Sequence, residues 1–317
     1  MNFDISSEQQ ILKDSVDRFV QDHYELDKRQ LLVLTEQGFS TDNWQTMAEL
    51  GWLGVSVPEA HGGFGGNEID TMILMEAFGK GLVLEPFFAS TVLGAKAIAD
   101  GGTEALKTEM LPGVVEGSRQ LTLAYAEAQS RFDLEDIITH AKSDGDDYVI
   151  NGHKSMVLHA GSAQQIVVST RTSGGQADKA GISLFLIDAD APGVEITSFP
   201  TVDGQQASEI KLEGVKVSSA RLLGELDNGY ELLNALATAG ILALAAEAVG
   251  AMEILYKDTV SYTQEREQFD HALSDFQVLQ HRMVDMFMEY EQCKSLLYRA
   301  TLEVVQNSAG AQRSVHA

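Results

Sequence analysis

Among 317 residues there is one cysteine, Cys293, so an intramolecular disulfide and any cysteine-rich metal site are excluded. Basic residues are scarce too: 22 Lys+Arg stand against 47 Asp+Glu, a net charge of −25. Nucleic-acid binding needs a basic footprint, and this chain has none. An anionic ligand would have to be held by a few local arginines, backbone N–H groups or helix N-termini. The eight histidines are scattered, no metal-ligand spacing occurs, and neither a Gly-x-Ser-x-Gly elbow nor a Cys–His arrangement is present. The opening "MNFDISSEQQILKDSV" lacks the basic start and apolar segment of a secretory signal, so a cytoplasmic protein is expected. The run Ala235 to Tyr256 is long enough for a membrane span. It carries Glu247 and Glu253 at a depth where charge is costly, and reads instead as a buried helix.

What is present is ordinary for a globular chain: 44% hydrophobic and 22% charged residues, with length for two or three packed units. Helical periodicity dominates residues 1–117. Ser6-x-x-Gln9 and Ser7-x-x-Gln10 are both capping-box spacings, and "TDNWQTMAELG" starts at a capping Thr41 and stops at Gly51. Further helices are expected over 68–80, 89–100 and 103–116. Over 118–225 the period falls to about two, in short β-rich runs such as "QLTLAYAE", "DDYVINGHKSMVL" and "GISLFLIDAD". Asn151-Gly152 is the strongest hairpin signal there. Strands at this spacing without intervening helices predict an antiparallel barrel or sandwich. From 226 to 317 the pattern is helical again, with helices over about 231–265 and 276–306. The expected organisation is α+β: helical, β, helical.

Several segments could carry chemistry. "VPEAHGGFGG" (57–66) lacks the Lys-Ser/Thr end of a phosphate loop and reads as a tight connection, with His61 a loop histidine. In "AEAQSRFDLEDI" (126–137), Arg131 either meets an anionic ligand or pairs with Asp133, Glu135 or Asp136. In "YTQEREQFDHALSDFQ" (262–277), Arg266, Phe269 and Gln277 flank a helix–helix turn. An arginine beside an aromatic could hold a pyrophosphate and a flat ring, or simply end a solvated helix. "AGILALAAEAVGAM" (239–252) places Glu247 among Ala243, Ala246, Ala248, Gly250 and Ala251. These small side chains leave a trough for a flat ligand or for another helix. A carboxylate facing a dry trough becomes a stronger base once ionised, while a paired structural charge fits the same pattern.

Five segments together resemble the acyl-CoA dehydrogenase family across essentially the whole chain: "LGWLGVSVPEAHGGFGG", "DGDDYVINGHKSMVLHAGSAQQIVV", "LFLIDADAPGVEI", "LEGVKVSSARLLGELDNGY" and "AAEAVGAMEILYKDTVSYTQEREQFDHALSDFQVLQHRMVDM". Within it the likeness is to small subunits of bacterial heteromeric enzymes, of pimeloyl-CoA dehydrogenase or steroid side-chain type. The resemblance implies FAD as cofactor and an acyl-CoA substrate oxidised to the 2-enoyl-CoA. It also implies an electron-transfer-flavoprotein-type acceptor, and either a second, related subunit in a heterotetramer or a homo-oligomer. It places Arg266, Phe269 and Gln277 at the flavin's dimer contact, and Tyr125 and Ala126 beside the isoalloxazine. Met156 and Leu158 stand where many members have a tryptophan and a threonine, and Asp270 where a glycine is usual. Arg131 and Phe132 fall at the substrate-side loop, Phe132 at a position often serine. Many members carry the catalytic base in a loop before the last helix, beyond Ala317, and the resemblance implies a C-terminal bundle truncated at its end. A second family position falls near Gly240-Ile241, without a carboxylate. Glu247, two turns further on, stands where heteromeric bacterial members commonly have a glutamate, and the resemblance makes it the expected catalytic base. A non-catalytic partner subunit contributing to a flavin site at an interface is the alternative.

Overall fold

In a computed structural model, residues 5–308 and 310–316 are described. Helix α1 (Ser7–His23) opens on the Ser6 capping box, in which Gln9 N–H donates to Ser6 Oγ at 3.1 Å and Ser6 N–H to Gln9 Oε1 at 3.0 Å. α2 (Leu26–Val33) follows. α3 (Thr41–Glu49) is capped by Ser40 rather than Thr41, because the Ser40 hydroxyl receives the Asn43 N–H. α4 (Glu68–Gly81) begins at Asn67. The expected helix over 89–100 is a π-helical stretch, Phe88–Ala95, running into α5 (Lys96–Gly101), and α6 (Glu104–Val115) is capped by Thr103. The "VPEAHGGFGG" segment is a tight connection: a Cβ at Gly63 would lie 2.1 Å from the Val57 carbonyl oxygen, and buried His61 lies 3.5 Å from Glu104.

Eight strands form one sheet: β1 (Leu121–Ala124), β2 (His140–Asp144), β3 (Asp147–Leu158), β4 (Gln165–Arg171), β5 (Ile182–Asp188), β6 (Val194–Pro200), β7 (Gln206–Val217) and β8 (Leu222–Leu223). The order is β6-β7-β3-β2-β4-β5-β8, with β1 paired to β4 in parallel over Leu121↔Gln165 to Ala124↔Val168. The sheet is therefore mixed rather than wholly antiparallel. The Asn151-Gly152 hairpin is not formed either. The turn lies at Gly145-Asp146, and β3 runs on through Gly152 at a register shift against β7. There a Cβ would meet Thr139 Oγ1 at 2.3 Å, so this glycine answers a close strand approach instead of a turn. β4 and β5 are buried along nearly their whole length because both faces are covered. Ile166, Val168, Phe185 and Ile187 pack toward β3 and β7. Val167, Leu184 and Leu186 pack under α5, α6 and the start of α7 (Tyr230–Glu265).

The chain divides into two units that interleave along the sequence. Arg29–Gly66 and Leu84–Gly240 hold the sheet with its covering helices. The described residues of Met1–Lys28, Asn67–Val83 and Ile241–Ala317 form the other, built of α1, α4, the later turns of α7, α8 (Gln277–Val305) and α9 (Ala311–Val315). In the second unit Lys80 donates to Asp17 at 2.9 Å and lies 3.5 Å from Glu253, while buried Glu76 accepts from Tyr298 at 3.2 Å. Burial, and then the charge on Glu76, push the Tyr298 phenol up to about 12. α7, of 36 residues, is long and apolar enough to pass as a membrane span by composition. Its Leu233 and Leu236 lie in the core beside the sheet, and its Leu242 packs on Ala300.

Glu85, 4% exposed, accepts the Ser40 N–H at 3.3 Å, and burial pushes its carboxyl up to about 7 against backbone hydrogen bonds that work the other way. The folded state thus holds this proton more tightly than the unfolded chain does. Stability should fall as pH rises from the ordinary value near 4.5 to 7, and stay reduced above it, by about 3 kcal/mol in all. Glu85→Gln keeps an acceptor for Ser40 and should flatten this dependence when urea unfolding is compared at pH 5 and pH 8. An unchanged pH difference in the variant would assign the effect elsewhere.

Candidate active site

The end of β1 is held from three sides within its unit. Leu121 N–H donates to Ser90 Oγ at 3.1 Å, Thr122 Oγ1 donates to the Leu158 carbonyl at 2.6 Å, and Ser155 N–H donates to the Ala126 carbonyl at 2.9 Å. These bonds bring Tyr125, Ala126, Met156 and Leu158 together, four residues separated by some thirty positions in the chain. Tyr125 is 40% and Met156 53% exposed, whereas Leu158 is half-buried with its carbonyl occupied. Met156 sits in the register shift between Lys154 and Val157 with φ 55°. A bulge of this kind re-aims a side chain, and a left-handed methionine carries strain.

Beyond Ala126 the chain turns on Ser130, whose Oγ accepts the Glu127 N–H at 3.1 Å and donates to the Glu127 carbonyl at 3.0 Å. Arg131 (φ 49°) and Phe132 (95% exposed) occupy the tip. No ion pair among the described residues joins Arg131 to Asp133, Glu135 or Asp136. Asp136 instead accepts from Gln176 at 2.6 Å.

Beneath this edge lies a feature that the sequence reading missed. Lys154, fully buried, donates to Glu127 Oε1 at 2.7 Å, to Ser169 Oγ at 3.0 Å and to the Tyr125 carbonyl at 3.3 Å. Glu127 also accepts the Ile138 and Thr139 N–H groups at 2.8 and 3.1 Å. Burial pulls the lysine down to about 8, against the opposing pull of Glu127. For Glu127 burial works upward, but Lys154 and the surrounding donors hold it below the usual carboxylate range. The signal was available: Lys154 shares strand parity with buried Ile150, so a period-two reading places its ammonium inside. Arg171, also missed, gathers the carbonyls of Glu135, Gln176, Asp178 and Ala180 at 2.7–2.8 Å and fixes the far side of the same loop.

In the helical unit, α7 and α8 are joined by a hairpin of β9 (Glu267–Gln268) and β10 (His271–Ala272), with Phe269 and Asp270 as its two turn residues. Both have positive φ, 55° and 64°, as a two-residue hairpin of primed type requires. Phe269 is 83% exposed. Arg266 and Gln277 flank the hairpin on the surface, and the Arg266 carbonyl accepts the Leu273 N–H. Eight non-glycine residues among those described have positive φ. Arg131, Met156 and Phe269 are three of them, and all three are exposed. Such strain persists where surrounding structure enforces it, commonly at ligand sites.

Glu247 lies on α7 with its side chain half-buried. The trough of small residues beside it is filled, on the Gly250 side, by α4. A Cβ on Gly250 would fall 1.9 Å from the Glu76 carbonyl oxygen, and one on Gly79 would fall 1.9 Å from the Glu247 carbonyl oxygen. A helix, then, occupies that side where a flat ligand was one expectation. Two turns earlier, Gly240 is buried, and a Cβ there would meet the side chains of Leu93 and Phe88 at 3.3 and 3.5 Å, an apolar setting.

Comparison with known proteins matches the N-terminal, middle and C-terminal domains of acyl-CoA dehydrogenase to residues 6–118, 122–215 and 227–315. A probable acyl-CoA dehydrogenase, YngJ of Bacillus subtilis, is 32% identical over 310 residues, covering 95% of this chain and 80% of its own. The (2S)-methylsuccinyl-CoA dehydrogenase of Cereibacter sphaeroides is 28% identical, over 82% of this chain and 50% of its own. Among solved structures, a Tcur3481–Tcur3483 steroid ACAD variant superposes with TM-score 0.86 at 30% identity, covering 97% of this chain and 80% of the other. The ChsE4–ChsE5 complex of Mycobacterium tuberculosis gives 0.89 at 26%, covering 99% and 83%. The chain belongs to the acyl-CoA dehydrogenase family. It is an FAD-dependent oxidoreductase of acyl-CoA dehydrogenase type.

Proposed function

We propose that this chain, in the cytoplasm and paired with a second acyl-CoA dehydrogenase-like subunit in a heterotetramer, oxidises an acyl-CoA thioester between Cα and Cβ. The observation that carries the reading is strain. Arg131, Met156 and Phe269, positions matched to the family's substrate and flavin contacts, are exposed left-handed residues.

The residues fit a flavin in a particular way. Tyr125 and Met156 offer a partly exposed, largely apolar surface suited to a flat ring. Met156 and Leu158 have no hydroxyl or indole N–H, so polar contacts on that side fall to the backbone of Tyr125 and Ala126. Across the dimer contact that the family likeness implies, Phe269, Arg266 and Gln277 would help to hold a flavin. FAD, when bound, supplies the acceptor for the substrate's β hydride. Glu247 takes the α proton, which is acidic enough only while the thioester carbonyl is polarised by hydrogen bonds. Arg131 and Phe132, at the exposed loop tip, meet the anionic and apolar parts of the acyl-CoA.

The paired assembly is supported by the two-protein names of both solved relatives above. A second reading, a non-catalytic subunit lending Arg266 and Phe269 to a partner's flavin, is favoured by the half-buried setting of Glu247 against α4. The separating experiment is purification of the chain alone and with its genomic neighbour, followed by a flavin spectrum and acyl-CoA-dependent reduction of a ferricenium acceptor. Turnover and stoichiometric FAD in the chain alone would exclude the second reading. Colourless, inactive preparations in both cases would overturn the first. Cell fractionation tests the location.

A further inference from the structure

We propose that Lys154 is a positioning residue for the bound flavin: from inside the sheet its ammonium draws the Tyr125 carbonyl inward and so turns the Ala126 N–H outward, to the face the cofactor covers. The inference rests on the FAD reading above. Its geometry is local to one unit. A trans peptide sets its C=O and N–H in opposite directions, and no cis peptide occurs among the described residues. With the Tyr125 carbonyl bonded to a fully buried ammonium, the Ala126 N–H on the same peptide must point away from the interior. The next carbonyl, of Ala126, is held by Ser155 N–H, and the exposed Met156 side chain follows directly. Three consecutive residues of β3 thus fix the inner side, the edge and the outer surface of one short segment.

The ammonium has no slack. Its three donors are used by Glu127, Ser169 and Tyr125, and the Glu127 carboxylate is in turn held by two backbone N–H groups and by Gln129 at 2.9 Å. Stability alone does not call for such a pair. Replacing buried ion pairs by apolar groups of similar size is often neutral or stabilising, so a fully satisfied buried pair points to a demand for geometry. The demand would be for a backbone donor toward an electron-rich edge of a flavin, at a place where Met156 and Leu158 have no donor to offer.

The test uses the full chain with FAD as the probe. The double variant K154M/E127Q removes both charges and keeps an amide oxygen for one of the Ile138 and Thr139 N–H groups. It should unfold within a few degrees of the wild type, yet bind FAD about tenfold more weakly, the worth of one lost hydrogen bond. The resolved shape of its flavin absorption band should change as well. Ser169→Ala is the milder companion: the ion pair stays and the ammonium is freed to drift from Tyr125, so a two- to threefold weakening with a smaller spectral change is expected. A folded variant of either kind that binds FAD with wild-type affinity and spectrum overturns the inference while leaving the FAD reading standing. A wild-type chain that takes up no FAD, alone or with its partner, overturns both.

Discussion

Glu247→Gln should lower acyl-CoA turnover by about 10²–10⁴-fold, the span that general-base catalysis typically contributes, while FAD remains bound. The amide keeps the side chain's size and removes only its capacity to take a proton. The loss should therefore appear in kcat, with KM for the acyl-CoA little changed. The measurement is ferricenium reduction alongside the 450 nm flavin band of the same preparation. A variant with wild-type kcat would remove Glu247 from the chemistry and leave the base to another residue. A variant that lost flavin as well would speak for a structural role on α7.

The second large effect is on stability. Gly250→Ala places a Cβ 1.9 Å from the Glu76 carbonyl oxygen, and backbone cannot swing aside as a side-chain tip does. α4 must shift, and overpacking of this kind costs typically 1–3 kcal/mol. Against backbone the upper end of that range applies, and after a gain of about 1 kcal/mol for alanine over glycine in a helix a net loss of about 2 kcal/mol is expected. Gly240→Ala, ten residues earlier on α7, meets only side-chain atoms, Leu93 at 3.3 Å and Phe88 at 3.5 Å, and should be neutral or slightly stabilising. Chemical denaturation of the two variants side by side checks the contrast. Equal effects would mean that α4 and α7 are not in register at Gly79 and Gly250. The same crossing presses the Glu247 backbone against Gly79, so Gly250→Ala should also depress kcat.

Much of this architecture could be read from residue order. Capping at Ser6 and Thr103, the period of α7 and the switch to alternation near residue 118 depend on local chemistry, and the elements lie where that chemistry puts them. Local signals failed where a neighbour distant in sequence decided. Asn151-Gly152 has the composition of a turn, but Thr139 approaches so closely that only glycine fits, and the strand continues. The parallel pairing of β1 with β4 has no signature within either strand. At the site, Glu247, Arg131, Arg266, Phe269 and Gln277 were raised by their local setting and the other five candidates by motif likeness, and exposure and φ give several of them a physical setting. The Lys154–Glu127 pair needed only one further question: why a lysine takes the inward parity of a strand, and which carboxylate answers it. For Glu247, small neighbours were compatible with a ligand or a helix, and no count of alanines could show that α4 fills the Gly250 side.

The interleaving of the two units also sets an order of events during synthesis. α1 and α4 belong to a unit whose remaining helices begin at Ile241. At roughly 5–20 residues per second, the ribosome takes on the order of 10–30 s to pass from α4 to the second half of α7. Until then the notch at Gly79 has no helix to receive, and α4 has α1 beside it within the unit but lacks α8. The sheet unit, whose segments are finished by Gly240, can be complete before this happens. A nascent chain arrested after Gly240 should therefore resist protease across the sheet and be cut within α4, and its aggregation should depend on the interval before α7 arrives.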